Sequence, residues 1–155
     1  MSLKDRITED MKAAMRARDV SRLSTIRLLL AAIKQKEVDE RLAVDDSQVL
    51  AIVEKLIKQR RDSIEQFQRA DRQDLVAQET FETTVLEGYQ PEQADAEELA
   101  AAVGGAIDAV CATGAAGPAA MGKVMAVLKQ KLAGRADMSA VSALVKSGLA
   151  ARAQK

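Results

Sequence analysis

The sequence predicts an all-α protein, and three observations carry the prediction. The strong helix formers Ala, Leu, Glu, Lys, Arg and Gln dominate a chain of 155 residues that holds only two prolines. Apolar residues recur at three- and four-residue steps along most of its length, with no strand-like alternation. Capping residues stand ahead of these runs, which divides the pattern into seven helices with a break after the fourth.

Ser2 followed three residues later by Asp5 is a capping spacing, and Leu3, Ile7, Met11, Ala14 and Met15 then share one face to about Arg18. A second helix is expected from near Ser21, with Leu23, Ile26, Leu30, Ile33 and Val38 as its seam. Asp45-Asp46-Ser47 caps a third helix that turns Val49, Ile52, Val53, Leu56, Ile57, Ile64 and Phe67 inward. These two long helices are expected to form an antiparallel hairpin. Asp71 and Asp74 repeat the capping spacing before a shorter helix bearing Leu75, Phe81, Val85 and Leu86. Gly88-Tyr89-Gln90-Pro91 then joins a helix-ending glycine to a proline that disfavours helix at Gln90. A hinge is expected there, dividing the chain into domains 1–90 and 91–155.

Beyond the hinge, Asp95 and Glu98 open a helix whose stripe is Leu99, Val103, Ile107 and Val110. Gly104-Gly105 weakens it by roughly 1 kcal/mol per glycine relative to alanine. Either another helix packs closely there or the glycines are simply tolerated, and the second reading is preferred. Pro118 suits the first position of the next helix, whose buried side is Met121, Val124, Met125 and Leu128, and Gly134 is its natural stop. Asp137 caps a last helix with Met138, Val141, Leu144 and Val145, and the tail from Ala151 to Lys155 is expected to fray.

Composition narrows the chemistry. With 48% apolar and 30% charged residues, the chain reads as globular rather than disordered. No apolar run reaches the roughly 18 residues of a membrane span, so no membrane partner is expected. The single Cys111 cannot form an internal disulfide and no secretory core precedes the first charged helix, which reads as cytoplasmic. There is no His, so the commonest general base and zinc ligand are both missing. Chemistry would have to rest on carboxylates, Lys, Tyr89 or Cys111. No phosphate loop, dinucleotide fingerprint, metal cluster or paired nucleophile and base is legible, so no catalytic residue, metal site or cofactor is assigned. Cys111 reads as a small buried hydrophobe.

Charge is distributed unevenly within an overall balance of 23 Lys+Arg against 23 Asp+Glu. From Pro91 to Gly117 there are five acids and no base, whereas from Pro118 to Lys155 seven Lys or Arg face the single acid Asp137. A basic segment of net +6 hints at a polyanionic partner. Lys123, Lys129, Lys131, Arg135 and Lys146 are its candidate phosphate contacts, with Lys123 and Arg135 foremost because glycines flank them. Lys129 and Lys131, two residues apart, point to different helix faces.

Three stretches together carry a resemblance across nearly the whole chain. They are Leu23-Ser24-Thr25-Ile26-Arg27-Leu28-Leu29 with Ala32-Ile33-Lys34; Lys58 to Phe67; and Met121-Gly122-Lys123-Val124-Met125 with Gly134-Arg135-Ala136-Asp137. On these the chain resembles the GatB/YqeY family. The resemblance implies a helical N-terminal domain peculiar to YqeY-like proteins. It also implies a C-terminal three-helix domain similar to the tail of the tRNA-dependent amidotransferase B subunit, a tail implicated in contacting tRNA. The amidation chemistry belongs to a separate, larger domain, so a carbon–nitrogen ligase label would be inherited from the family. Where that tail typically carries a basic motif ending in Asn-Pro, this chain has Arg135-Ala136-Asp137-Met138.

The expected function is therefore a non-catalytic module that binds tRNA or another structured RNA, accessory to tRNA amidation or aminoacylation. The alternative is a helical protein-interaction module, with Lys58, Arg60, Arg61 and Arg69 interleaved with Asp62 and Glu65 on its docking face.

Overall fold

A computed structural model of the chain describes residues 1–153, all of its regular structure helical, in two compact units, one to Gln90 and one from Pro91. The expected fraying of the tail lies partly outside the described residues; up to Ala153 the chain is helical.

The first unit holds α1 (Leu3–Ala17), α2 (Val20–Glu40), α3 (Asp46–Arg69) and α4 (Gln73–Glu87). Ser2 and Asp5 close a reciprocal capping box on α1, and Asp45 and Gln48 close another on α3. Helix α2 begins one residue before Ser21, capped by Asp19, its carboxylate accepting from the Arg22 N–H. The cap expected for α4 does not form. Asp71 takes a left-handed backbone, and Asp74 is drawn into a two-bond pair with Arg72, which leaves α4 without a side-chain cap.

Ile7, Ile26, Leu29, Ile33, Val49, Val53, Ile57, Val85 and Leu86 form the core of this unit. Complete burial of each large aliphatic side chain contributes about 1.5–3 kcal/mol. The tightest helix pair is α3 on α4, followed by α1 on α2, so the expected α2–α3 hairpin is not the dominant contact. The buried row of α2 is Thr25, Ile26, Leu29 and Ile33, while Val38 lies exposed. Met15 and Phe81, also expected inside, are 48% and 41% exposed.

Tyr89 is the core residue that periodicity missed, because it stands beyond the end of α4. It is buried, its hydroxyl donates to Asp10 Oδ2 at 2.7 Å, and the Arg6 guanidinium lies 5.4 Å from its ring centre. Burial, reinforced by the Asp10 carboxylate, pushes the phenol's pKa well above its ordinary value. Tyr89 is thus a fixed donor that ties the end of α4 to α1.

The second unit holds α5 (Ala96–Cys111), α6 (Gly117–Lys131) and α7 (Met138–Ala153) around Val103, Ile107, Val110, Val124, Leu128, Leu132, Val141 and Val145. Asp95 caps α5 as its spacing predicts. Helix α6 begins one residue before Pro118, within the usual scatter of helix ends. Leu144, expected inside, is 41% exposed. A Cβ added at Gly104 or Gly105 would meet no atom within 4 Å, which favours tolerance over close packing. The glycine that packing does need is Gly148, where a Cβ would come 2.5 Å from Ile107 Cδ1. It lets α7 approach α5.

Candidate nucleic-acid interface

The basic segment occupies α6, α7 and the turn between them. Lys123, Lys129 and Lys131 are exposed on α6, and Lys146 is exposed on α7. At 100° per residue, Lys123 and Lys131 lie about 80° apart on neighbouring rows with the half-exposed Val127 between them, separated by about 12 Å of helix. Lys129 is turned about 120° from Lys123. Lys146 belongs to another face, at the rim of an open cavity of about 520 Å³. The fold therefore brings Lys123 and Lys131 onto one side of α6 and separates them from Lys129 and Lys146. Lys129 and Lys131 also sit in the last turn of α6, where cations complement the helix dipole.

Arg135 has a different task. Its Nε donates to the Glu92 carbonyl at 2.8 Å and one terminal nitrogen donates to Glu98 Oε2 at 2.8 Å. The turn carrying it is fastened further: Gln93 Nε2 donates to the Gly134 carbonyl at 2.7 Å, and the Ala94 N–H donates to the Arg135 carbonyl at 2.9 Å. Gly134 adopts a left-handed backbone, φ 71°, which explains the glycine. Gly122 shows no comparable need, since a Cβ there would meet nothing within 4 Å. Arg152 is similarly held, by Asp108. Both arginines of this unit are thus paired internally. Its described lysines, Lys123, Lys129, Lys131 and Lys146, have no carboxylate partner among the described residues.

The cavity beside Lys146 is lined by apolar groups from the end of α5, the start of α6 and the end of α7, among them Cys111, Pro118, Met121 and Leu149. Cys111 is half-buried there, with no His anywhere in the chain to serve as its base. Among the described residues no three His, Cys, Asp or Glu side chains stand together as metal ligands do, and no helix is long and apolar enough to cross a membrane.

The charged face expected on α3 is largely spent inside the first unit. Arg60 pairs with Glu82 of α4 at 3.0 Å, both side chains mostly buried, and Arg60 also donates to the Leu56 carbonyl. Arg61 pairs with Glu87 and Arg69 with Glu65, leaving Lys58 as the exposed cation of that set without an ion pair.

A family model described as Yqey-like protein matches residues 4–149, spanning both units. The chain belongs to this YqeY-like family. Its relatives include proteins named "Altered inheritance of mitochondria protein 41, mitochondrial". The one from Eremothecium gossypii is 43% identical over 98 residues, covering 61% of this chain and 54% of the relative. That from Kluyveromyces lactis is 42% identical over 85 residues, covering 54% and 46%. That from Saccharomyces cerevisiae is 37% identical over 91 residues, covering 58% and 49%. The chain spans about half the length of these relatives. Their naming overturns the cytoplasmic assignment. A single unpaired cysteine reports a compartment where disulfides are not needed, and address signals are processed apart from the fold, so composition could not supply the location.

Proposed function

We propose that this YqeY-like chain is a non-catalytic RNA-binding accessory module whose second unit meets the phosphates of a structured RNA, tRNA foremost. The observation that carries the reading is the split among that unit's cations: the arginines brace the fold, and the lysines stand exposed without carboxylate partners. Exposed, unpaired lysines on α6 and α7 make a local positive field that a polyanion neutralises. With one Tyr, two Phe and no Trp in the chain, stacking platforms are scarce, so recognition rests on shape and phosphate rather than base identity. Lys123 and Lys131 form the leading pair, and Lys129 and Lys146 serve the other faces. Arg135 positions the turn between α6 and α7 from within. The resemblance to the amidotransferase tail supports tRNA as the class and tRNA amidation or aminoacylation as the setting, with catalysis supplied by another protein. The relatives' naming supports a mitochondrial location for that work.

The test is a salt titration of tRNA affinity for the full chain and two double variants, Lys123→Glu/Lys131→Glu and Lys129→Glu/Lys146→Glu. The first is expected to weaken binding and to flatten the log–log salt dependence by about one to two units. Wild-type affinity no better than that of a neutral helical control at moderate salt, or equal binding by both variants and the wild type, would overturn the reading.

A further inference from the structure

Helix α2 is apolar on two opposite sides, and its own unit uses only one. Thr25, Ile26, Leu29 and Ile33 are buried. Across the helix, Val20, Ser24, Leu28, Ala31, Gln35 and Val38 follow one another in steps of three and four, which aligns them in a single stripe about five turns long. Val20, Leu28 and Val38 are 76%, 51% and 59% exposed, and Ala31 is exposed as well. Among the described residues, α4 reaches only the Val20 and Ser24 end of this stripe, and Leu28, Ala31 and Val38 are left exposed.

The surface around it is shaped and charged. A groove of about 320 Å³ lies on one side among Val20, Leu23, Arg27 and Leu28. Another, of about 460 Å³, lies among Val20, Ser24 and the exposed Phe81 of α4. Arg27 and Lys34 run along one flank of the stripe, seven residues or about 10 Å apart. Both are exposed, and neither has a carboxylate partner among the described residues. Seven is the spacing at which a packed helix returns the same flank to its partner.

We propose that this face of α2 docks an amphipathic helix of another protein, one that lays apolar anchors on the stripe and presents two carboxylates seven residues apart to Arg27 and Lys34. Ser24 and Gln35, polar positions within the stripe, set its register as buried polar residues do in coiled coils. Charge placement argues against a second copy, because a two-fold antiparallel pairing of α2 would set the Arg27/Lys34 row against itself. The apolar row argues against RNA, to which exposed Val20, Leu28 and Val38 offer nothing. This inference concerns the first unit and stands apart from the RNA reading of the second.

The experiment titrates the full chain with two synthetic helical peptides of one apolar seam, one carrying Glu seven residues apart on its flank and the other Lys. Affinity is read by fluorescence anisotropy and location by backbone amide shifts. The Glu peptide is expected to bind with shifts confined to residues 20–38 and Phe81. Leu28→Asp should weaken it at least tenfold, and Arg27→Glu/Lys34→Glu should reverse the preference in favour of the Lys peptide. All three side chains are exposed, so circular dichroism should show each variant folded. The proposal is overturned if neither peptide saturates, if the charge reversal leaves the preference unchanged, or if the shifts fall elsewhere. It is also overturned if light scattering finds a dimer that Leu28→Asp dissolves, or if anionic phospholipid vesicles or tRNA occupy this face in place of the peptide.

Discussion

The two units both brace themselves with ion pairs and differ in what they leave exposed beside them. In the first, cations tie helices to one another: Lys4 of α1 reaches Glu37 of α2 at 2.6 Å, Arg60 of α3 reaches Glu82 of α4 at 3.0 Å, and Arg61 reaches Glu87. What is left exposed along α2 is an apolar row flanked by the unpaired Arg27 and Lys34. In the second unit Arg135 and Arg152 hold the frame, and the lysines are left outside. The cores differ in the same direction. Ile and Leu side chains dominate the first, whereas Ala102, Ala106 and Ala120 take places in the second. Balanced net charge in a chain is therefore compatible with two units whose exposed faces differ, one carrying an apolar row flanked by two cations on α2 and the other carrying separate lysines on α6 and α7.

The largest effect that would sharpen this contrast lies in the first core. Leu29→Ala removes a fully buried side chain and should cost about 2–5 kcal/mol in chemical denaturation, the range set by how far the site collapses. Next comes the inter-helix pair. Glu82→Leu leaves the mostly buried Arg60 guanidinium without its carboxylate and should cost about 1–3 kcal/mol by the same measurement. An effect below about 0.5 kcal/mol would break the claim that these charges hold the first unit together.

Acid should reveal the same economy more gently. The Lys4 ammonium holds the Glu37 carboxyl below its ordinary range, and the Ser2 hydroxyl does the same for Asp5. A depressed folded-state pKa contributes stability that is complete above the ordinary carboxylate value and is lost as pH falls through it toward the folded value. Thermal melts of the full chain between pH 7 and pH 3 should show declining stability below about pH 4.5, and Glu37→Gln should flatten that decline. Smallest of all, Lys123→Glu should shift stability by no more than about 0.5 kcal/mol, since no ion pair or helix end involves that side chain.

Helix number and type were legible because caps and periodicity agreed at Ser2, Asp45 and Asp95, each of which caps as its spacing requires. The α4 cap was not, because Asp74 had a stronger local partner in Arg72 than the backbone donors it was expected to serve. Val38 and Phe81 were assigned inward because three- and four-residue spacing cannot say which of two apolar rows faces the core. Tyr89 lay outside any helix period; its signal was its place as the chain's one tyrosine beside the Gly88 terminus. Among the candidate RNA contacts, the different facing of Lys129 and Lys131 could be read from their spacing. The inward turn of Arg135 could not, because its partners Glu92 and Glu98 lie about forty residues away in sequence.

The most direct test of the division between the units is a residue-resolved amide-shift titration of the full chain with tRNA at low and moderate salt. Shifts are expected on α6 and α7 around Lys123, Lys129, Lys131 and Lys146 that fade as salt rises, with the Arg60–Glu82 pair of the first unit and the α2 stripe unmoved. Shifts centred on α2 or α3, or none on α6 and α7 at low salt, would contradict it.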